Sequence, residues 1–261
     1  EACAQAGKTM VVLDRPNPLG GAVCEGGLLR DGFQSMVGVW TVPFRTGMTI
    51  GEFAAYVNDR LEPKCRLTVV PLDGWKRTME FPDTGLPWLM PSPNMPTMDT
   101  VRVYAGTCLF EGTNLSEGRG TTRPFETVGA PWMDGKRVAE TMNRLGLPGV
   151  KAHPVYFTPM FSKHKGELCS GVQLFVTDPA AFRAVRTGLY LLACVRELHP
   201  DRFEWLPPFK EGGKPFIDLL SGSDRVRLTL TGAADAERIA DDWDREAAQW
   251  AKAREPYLLY E

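Results

Sequence analysis

Glu111, Glu117 and Glu126 fall within residues 104–132, YAGTCLFEGTNLSEGRGTTRPFETVGAPW, beside the guanidinium groups of Arg119 and Arg123. Asn114, Thr121 and Thr122 add hydrogen-bonding groups. Gly106, Gly112, Gly118 and Gly120 permit a close approach of backbone to a bound molecule. Carboxyl groups in unlike surroundings can cleave a glycosidic bond. One stays protonated to release the leaving oxygen, and the other stays ionised to activate water or attack the anomeric carbon. Amide, hydroxyl and guanidinium side chains beside them suit a ligand dense in hydroxyls. The bland alternative is a long connection whose polar groups satisfy its own backbone, although long irregular segments tend to be functional or disordered.

Other candidates sit in turns. Residues 9–13 form an apolar β-rich run followed at once by DRPNPLGG, so Asp14, Arg15 and Asn17 lie where open α/β sheets bind ligands, beyond the carboxyl end of a strand. The alternative is that Asp14 and Arg15 pair with each other and with turn amides. Glu25 stands between Cys24 and two glycines, small neighbours that a ligand can approach closely. Arg45 falls in the turn PFRTG, and His164 in the polar turn SKHKGE, either open to a ligand or simply at the surface. Asn94 and Thr97 are framed by Pro91, Pro93 and Pro96. Trp75 and Trp88 offer faces for sugar stacking, with plain packing the expectation for at least one.

Much chemistry is excluded. GxSxG, GK[ST] P-loop, dinucleotide GxGxxG and HExxH motifs are all missing, which leaves nucleotide, nicotinamide and zinc-protease chemistry unsupported. The histidines are three, His153, His164 and His199, too few to favour Ser/His or Cys/His catalysis. Six cysteines show no CxxC and no zinc spacing, so no metal site and no cofactor is expected; disulfides and free thiols both stay open. With 30 Lys+Arg against 32 Asp+Glu the net charge is -2, which steers nothing toward nucleic acid. No apolar run reaches the ~18 residues that a membrane span requires.

The positioning elements alternate between strand and helix, which makes α/β the expected class. Residues 1–7 read as the last turn of a helix ended by Gly7, so that the chain is expected to begin in the middle of a fold. Strands are expected over 33–42, 67–71, 155–161, 169–176 and 226–230. Thr49 and Glu52 form a capping box for a helix running to Leu61, which makes Glu52 structural. The prolines between Phe81 and Asp99 predict a stiff extended loop. Helices are expected over 135–145, from a cap at Asp178 through Val195, briefly within 209–220, and over 233–253 with Ile239, Trp243, Ala247 and Trp250 on one face.

The strings DRPNPLGG, PFRTGMTIGE, PLDGWKR, PWLMPSPNMPT, GTCLFEGTN, SEGRGTTRPFETVGAPW, FTPMFSKHKGE and REPYLLYE run the length of the chain. Together they resemble the exo-β-N-acetylmuramidase family of peptidoglycan hexosaminidases. The resemblance implies the end of a Rossmann-like domain over residues 1–47 and a smaller α/β domain over 48–261 carrying the active-site loops. It also implies release of N-acetylmuramic acid from the non-reducing end of muramyl saccharides, in an extracellular or periplasmic setting. The family's Glu-His-Gly-type catalytic motif has no match here, and an upstream portion is expected to carry it. Glu25 is the match to a second catalytic glutamate, with Glu111 and Glu117 next. Arg119, Arg45 or Asn114 would meet the lactyl carboxylate. Two other readings stand: a sugar-binding fragment without turnover, and a protein-interaction module anchored by Trp88 and Trp132.

Overall fold

A computed structural model describes all residues, 1–261, and the chain is mixed α/β. It forms two compact units. Unit 1 takes residues 1–24, 45–89 and 248–261, and unit 2 takes residues 25–44 and 90–247.

In unit 1, helix α1 (Ala2–Gln5) leads through Gly7 into strand β1 (Thr9–Leu13). Helix α2 (Ile50–Asn58) then crosses over to strand β2 (Arg66–Val70). β1 and β2 pair in parallel, Thr9 opposite Arg66 and Leu13 opposite Val70. A parallel pair needs such a crossover, which makes β1-α2-β2 a βαβ element. α2 starts on the expected capping box, Thr49 with Glu52, and stops before Leu61.

Unit 2 opens its regular structure with helix α3 (Met98–Thr107), continued by a 3-10 turn over Cys108–Gly112. Strand β3 (Thr127–Ala130) is buried throughout. Helix α4 (Gly135–Arg144) follows, then β4 (Val150–Phe157) and β5 (Cys169–Val176). The sheet is antiparallel in the order β3-β5-β4, with Ala130 opposite Ser170 and Phe157 opposite Cys169. Helix α5 (Ala184–Leu198) carries the central apolar stripe, Leu189, Leu191, Leu192 and Val195, into the core against Val103, Leu109, Phe110 and Phe125. The short helices α6 (Phe216–Ser221) and α7 (Arg225–Thr229) precede the long α8 (Ala233–Ala253). Ile239, Trp243, Ala247 and Trp250 of α8 are all buried, as its periodicity predicts.

Local readings differ from this in several places, among them β4, expected over 155–161 and observed over Val150–Phe157. Residues 33–42 form turns and a single Ser35–Gly38 bridge, because Gly32 turns left-handed at φ 82° and no strand runs alongside. Residues 226–229 belong to α7 and Leu230 is its C-cap, with Val226 and Leu230, four apart, both buried. Asp178 does not cap α5, which starts at Ala184; its carboxylate holds the amides of Ala180 and Ala181 in a preceding turn. The segment 81–99 contains a 3-10 turn, Phe81–Thr84, and the first residues of α3. Finally, 104–132 is less irregular than its glycines suggest, since it holds the end of α3, the 3-10 turn and all of β3.

Candidate active site

The site in unit 2 is set by where α3 runs out. α3 passes α5 so closely that a Cβ on Gly106 would lie 1.9 Å from the Ala184 carbonyl oxygen. Beyond this contact the chain tightens into the 3-10 turn, which buries Leu109 and Phe110 and turns Glu111 outward to partial exposure. The following loop folds back through Gly118 and Gly120, both left-handed, and is tied to β3 by reciprocal Ser116–Gly129 backbone hydrogen bonds. Phe125 is also left-handed, at φ 62°, a strained conformation for a bulky residue. Its fully buried ring meets Tyr104 edge-on at 4.7 Å and lies under the Arg119 guanidinium.

These bends gather a charged cluster. Arg119 donates to Glu111 Oε2 at 2.8 Å and reaches Glu117 Oε1 with its Nε at 3.1 Å. Glu117, only 2% exposed, meets a second cation, Lys163 Nζ, at 2.8 Å from Oε2. Lys163 arrives from the β4–β5 connection and also donates to the carbonyls of Phe110 and Leu115, each at 2.8 Å. Its neighbours Ser162 (φ 70°) and His164 (φ 56°) are both left-handed. That reversal drives Lys163 inward. His164 Nε2 pairs with the Asn114 carbonyl at 2.8 Å.

The two carboxylates differ. Burial raises the Glu111 pKa above its ordinary value, against the opposing pull of Arg119. Burial likewise pushes Tyr104 up to about 12, lowers Lys163 and raises the thiol of Cys108 to about 12. Glu111, with its side chain 19% exposed, is thus suited to carry a proton to a ligand, and Glu117 to fix Arg119 from behind. Glu126 is a third buried carboxylate, accepting from Thr100 Oγ1 at 2.7 Å, Thr97 Oγ1 at 3.3 Å and Arg123 at 3.1 Å. Thr97 is also the N-cap of α3.

The remaining sequence candidates are distributed as follows. Glu25 is buried in unit 2, where its Oε2 accepts from the Val185 amide in the first turn of α5 at 3.1 Å, as suits an anion there. The space beside Gly26 and Gly27 is filled by Phe44 and Trp243, not open to a ligand as the sequence suggests. Asn114 spends its side chain on the Arg202 carbonyl and the Glu204 amide. Thr121 bonds to Gly118 and Arg123, Thr122 is exposed, and Asn94 is half-buried with its amide on Ser92 Oγ. In unit 1, Asp14 accepts four hydrogen bonds, from Arg15 N, Gly51 N, Thr49 Oγ1 and Tyr260 OH, while Asn17 and Arg45 bind the Met48 and Leu19 carbonyls. Trp75 packs edge-on to Tyr260 and Trp88 to Phe81, and Trp132 lies tilted 5.5 Å from His199.

Sequence reasoning missed Lys163. No periodicity marks it, and the only signal was its place beside His164 in a string of charges. No three His, Cys, Asp or Glu side chains are grouped to hold a metal ion, and no helix is long and apolar enough to cross a membrane.

Comparison with known proteins gives a concordant result. The family models described as exo-beta-N-acetylmuramidase NamZ match along the chain, the N-terminal one over residues 1–99 and the C-terminal one over residues 102–260. The chain is 45% identical over 260 residues to the peptidoglycan beta-N-acetylmuramidase NamZ of Bacillus subtilis (strain 168), covering 100% of itself and 61% of that relative. Two crystal structures of DUF1343 family proteins from Bacteroides fragilis are similar across 100% of this chain and 68% of theirs. One has a TM-score of 0.91 at 32% identity, the other 0.75 at 29%.

Proposed function

This chain belongs to the exo-β-N-acetylmuramidase NamZ family, and on that premise we propose that it takes part in releasing N-acetylmuramic acid from the non-reducing end of peptidoglycan fragments. The observation that carries the reading is the cluster of Glu111, Arg119, Glu117 and Lys163. It sets a partly exposed carboxyl with a raised pKa beside a second carboxylate held between two cations. Glu111 delivers the proton to the leaving glycosidic oxygen, and Glu117 keeps Arg119, and through it Glu111, in place. Glu25, which family resemblance matches to a catalytic glutamate, is buried against the Val185 amide and is given no part in this step. The activity belongs outside the cytoplasm, where peptidoglycan lies, and its product enters cell-wall turnover.

The test follows release of N-acetylmuramic acid from a synthetic MurNAc–GlcNAc disaccharide by chromatography. The chain is assayed alone and joined to the portion of the Bacillus subtilis relative that it does not span. Glu111→Gln should lower the rate by roughly 10²–10⁴, the usual worth of a general acid. Full activity in Glu111→Gln would remove that residue from the chemistry. Saturable sugar binding without release by either wild-type form would instead assign a non-catalytic sugar-binding module.

A further inference from the structure

Most oxygens of a saccharide carry no charge, so a site that orients one needs uncharged donors as well as ions. In the Glu111 cluster the cations are already engaged. Arg119 holds Glu111 and Glu117, and Lys163 holds Glu117 and two carbonyls. Asn114 is committed on both sides of its amide. Tyr104 differs from these: it is 38% exposed, and its hydroxyl makes no hydrogen bond.

Its ring is nevertheless held in place. Tyr104 lies in the last turn of α3, four residues before Cys108, and the 3-10 turn carries the chain directly on to Glu111. The ring stands edge-on to Phe125, at 4.7 Å and 88°. Phe125 is fully buried, and its amide donates to the Glu117 carbonyl at 2.6 Å. The Arg119 guanidinium sits 5.0 Å from the centre of the same ring. Phe125 is thus a common support for Tyr104 and for the arginine that grips Glu111. Burial, then Cys108 and Glu111, oppose ionisation of the phenol and Arg119 favours it, so all three side chains lie within electrostatic reach of the hydroxyl. A phenol kept protonated is a donor to an uncharged oxygen, and a ring already packed loses little freedom when a ligand arrives.

We propose that Tyr104 is a substrate-contacting residue of the Glu111 site, its hydroxyl donating a hydrogen bond to an uncharged oxygen of the hexosamine. The proposal rests on the function proposed above.

Methyl N-acetyl-β-muramide is titrated by calorimetry into wild type and Tyr104→Phe, each as the chain alone and joined to the portion of the Bacillus subtilis relative that it does not span. Phe keeps the ring against Phe125 and removes only the hydroxyl. Tyr104→Phe should therefore unfold at the wild-type urea concentration, yet bind the muramide roughly 3- to 10-fold more weakly, the worth of one hydrogen bond. In a 3-fluorotyrosine-labelled chain, the fluorine resonance that Tyr104→Phe lacks should shift when the muramide binds. Wild-type affinity in Tyr104→Phe, or a Tyr104 resonance indifferent to the sugar, would overturn the contact and leave the glycosidase reading standing. An affinity loss accompanied by an equal loss of stability would also overturn it, since packing alone would then account for the effect. Binding that depends on the Tyr104 hydroxyl, without release of N-acetylmuramic acid from the disaccharide, would support the contact and remove the glycosidase reading. Failure of the wild type to bind in either form would overturn both.

Discussion

Glu111 and Glu117 share one guanidinium yet are held in unlike surroundings, and the difference has measurable consequences. Because burial raises the Glu111 pKa above 4.5, the folded chain keeps this proton at pH values where the unfolded chain has lost it. Its contribution to stability is therefore complete below 4.5 and disappears as pH rises through the raised folded value. Glu111→Gln should flatten that part of the stability profile, measured by urea denaturation at a series of pH values. A general acid with this pKa also predicts a rate that falls on the alkaline side of the same transition, and Gln at this position should remove that limb. Lys163 is a different kind of residue, which donates to two carbonyls and forms an ion pair with Glu117. Lys163→Met leaves the buried Glu117 with one cation and strands two carbonyls, which should cost about 2–3 kcal/mol, below the fully buried case because the ammonium keeps some water. Glu111, Glu117 and Arg119 were readable from their types and spacing among glycines. Lys163 was not, because the inward turn that makes it matter depends on left-handed torsions at Ser162 and His164, which neither residue type advertises.

Elements were legible where a period repeats. α8 and β5 fall within the bounds expected for them, since twenty-one residues of helical stripe and eight of near-alternation leave little choice. Short apolar runs gave the errors, because Val226 to Leu230 is long enough for one helical turn or one short strand, and only packing decides. The start of α5 was misplaced for a related reason: Asp178 makes a turn that looks like a cap in sequence. The crossing of α3 and α5 was invisible from sequence. It depends on Gly106 and Gly188, which face each other so closely that a Cβ on Gly188 would stand 2.4 Å from the Gly106 carbonyl oxygen. A methyl group there has only backbone to push against. Gly188→Ala should therefore cost about 3 kcal/mol by forcing the helices apart. Because the 3-10 turn bearing Glu111 continues directly from α3, the same variant should lose ligand affinity as well as stability. A variant as stable as wild type in urea would show that the helices can separate freely.

At the scale of the chain, the end of the sequence is built into the unit that contains its beginning. Residues 248–261 belong to unit 1, and their last four contact three buried charges there. Tyr260 OH donates to Asp14 Oδ2 at 2.6 Å and accepts the Leu72 amide at 2.9 Å. The Leu259 amide binds Glu52 Oε1 at 2.8 Å, and the Arg77 amide binds the Glu261 carbonyl at 2.8 Å. Nothing in the local pattern of REPYLLYE announces this, since the contacts join residues more than 180 positions apart. The family match divides the chain near residue 100, but unit 1 cannot be completed from residues 1–99 alone. Deleting residues 258–261 would leave Asp14 and Glu52 buried with fewer donors, and a buried charge that loses a hydrogen bond costs about 1.5–3 kcal/mol. Tyr260→Phe isolates one such bond and should cost about 2 kcal/mol. Trp75, packed edge-on against Tyr260 at 5.1 Å, gives the optical probe. The truncated chain should show the Trp75 transition at lower urea than the wild type, while amide exchange in β5 and α5 stays slow. Coincident loss of both signals would mean that unit 2 cannot outlast unit 1 and that the C-terminal residues stabilise the molecule as one cooperative whole.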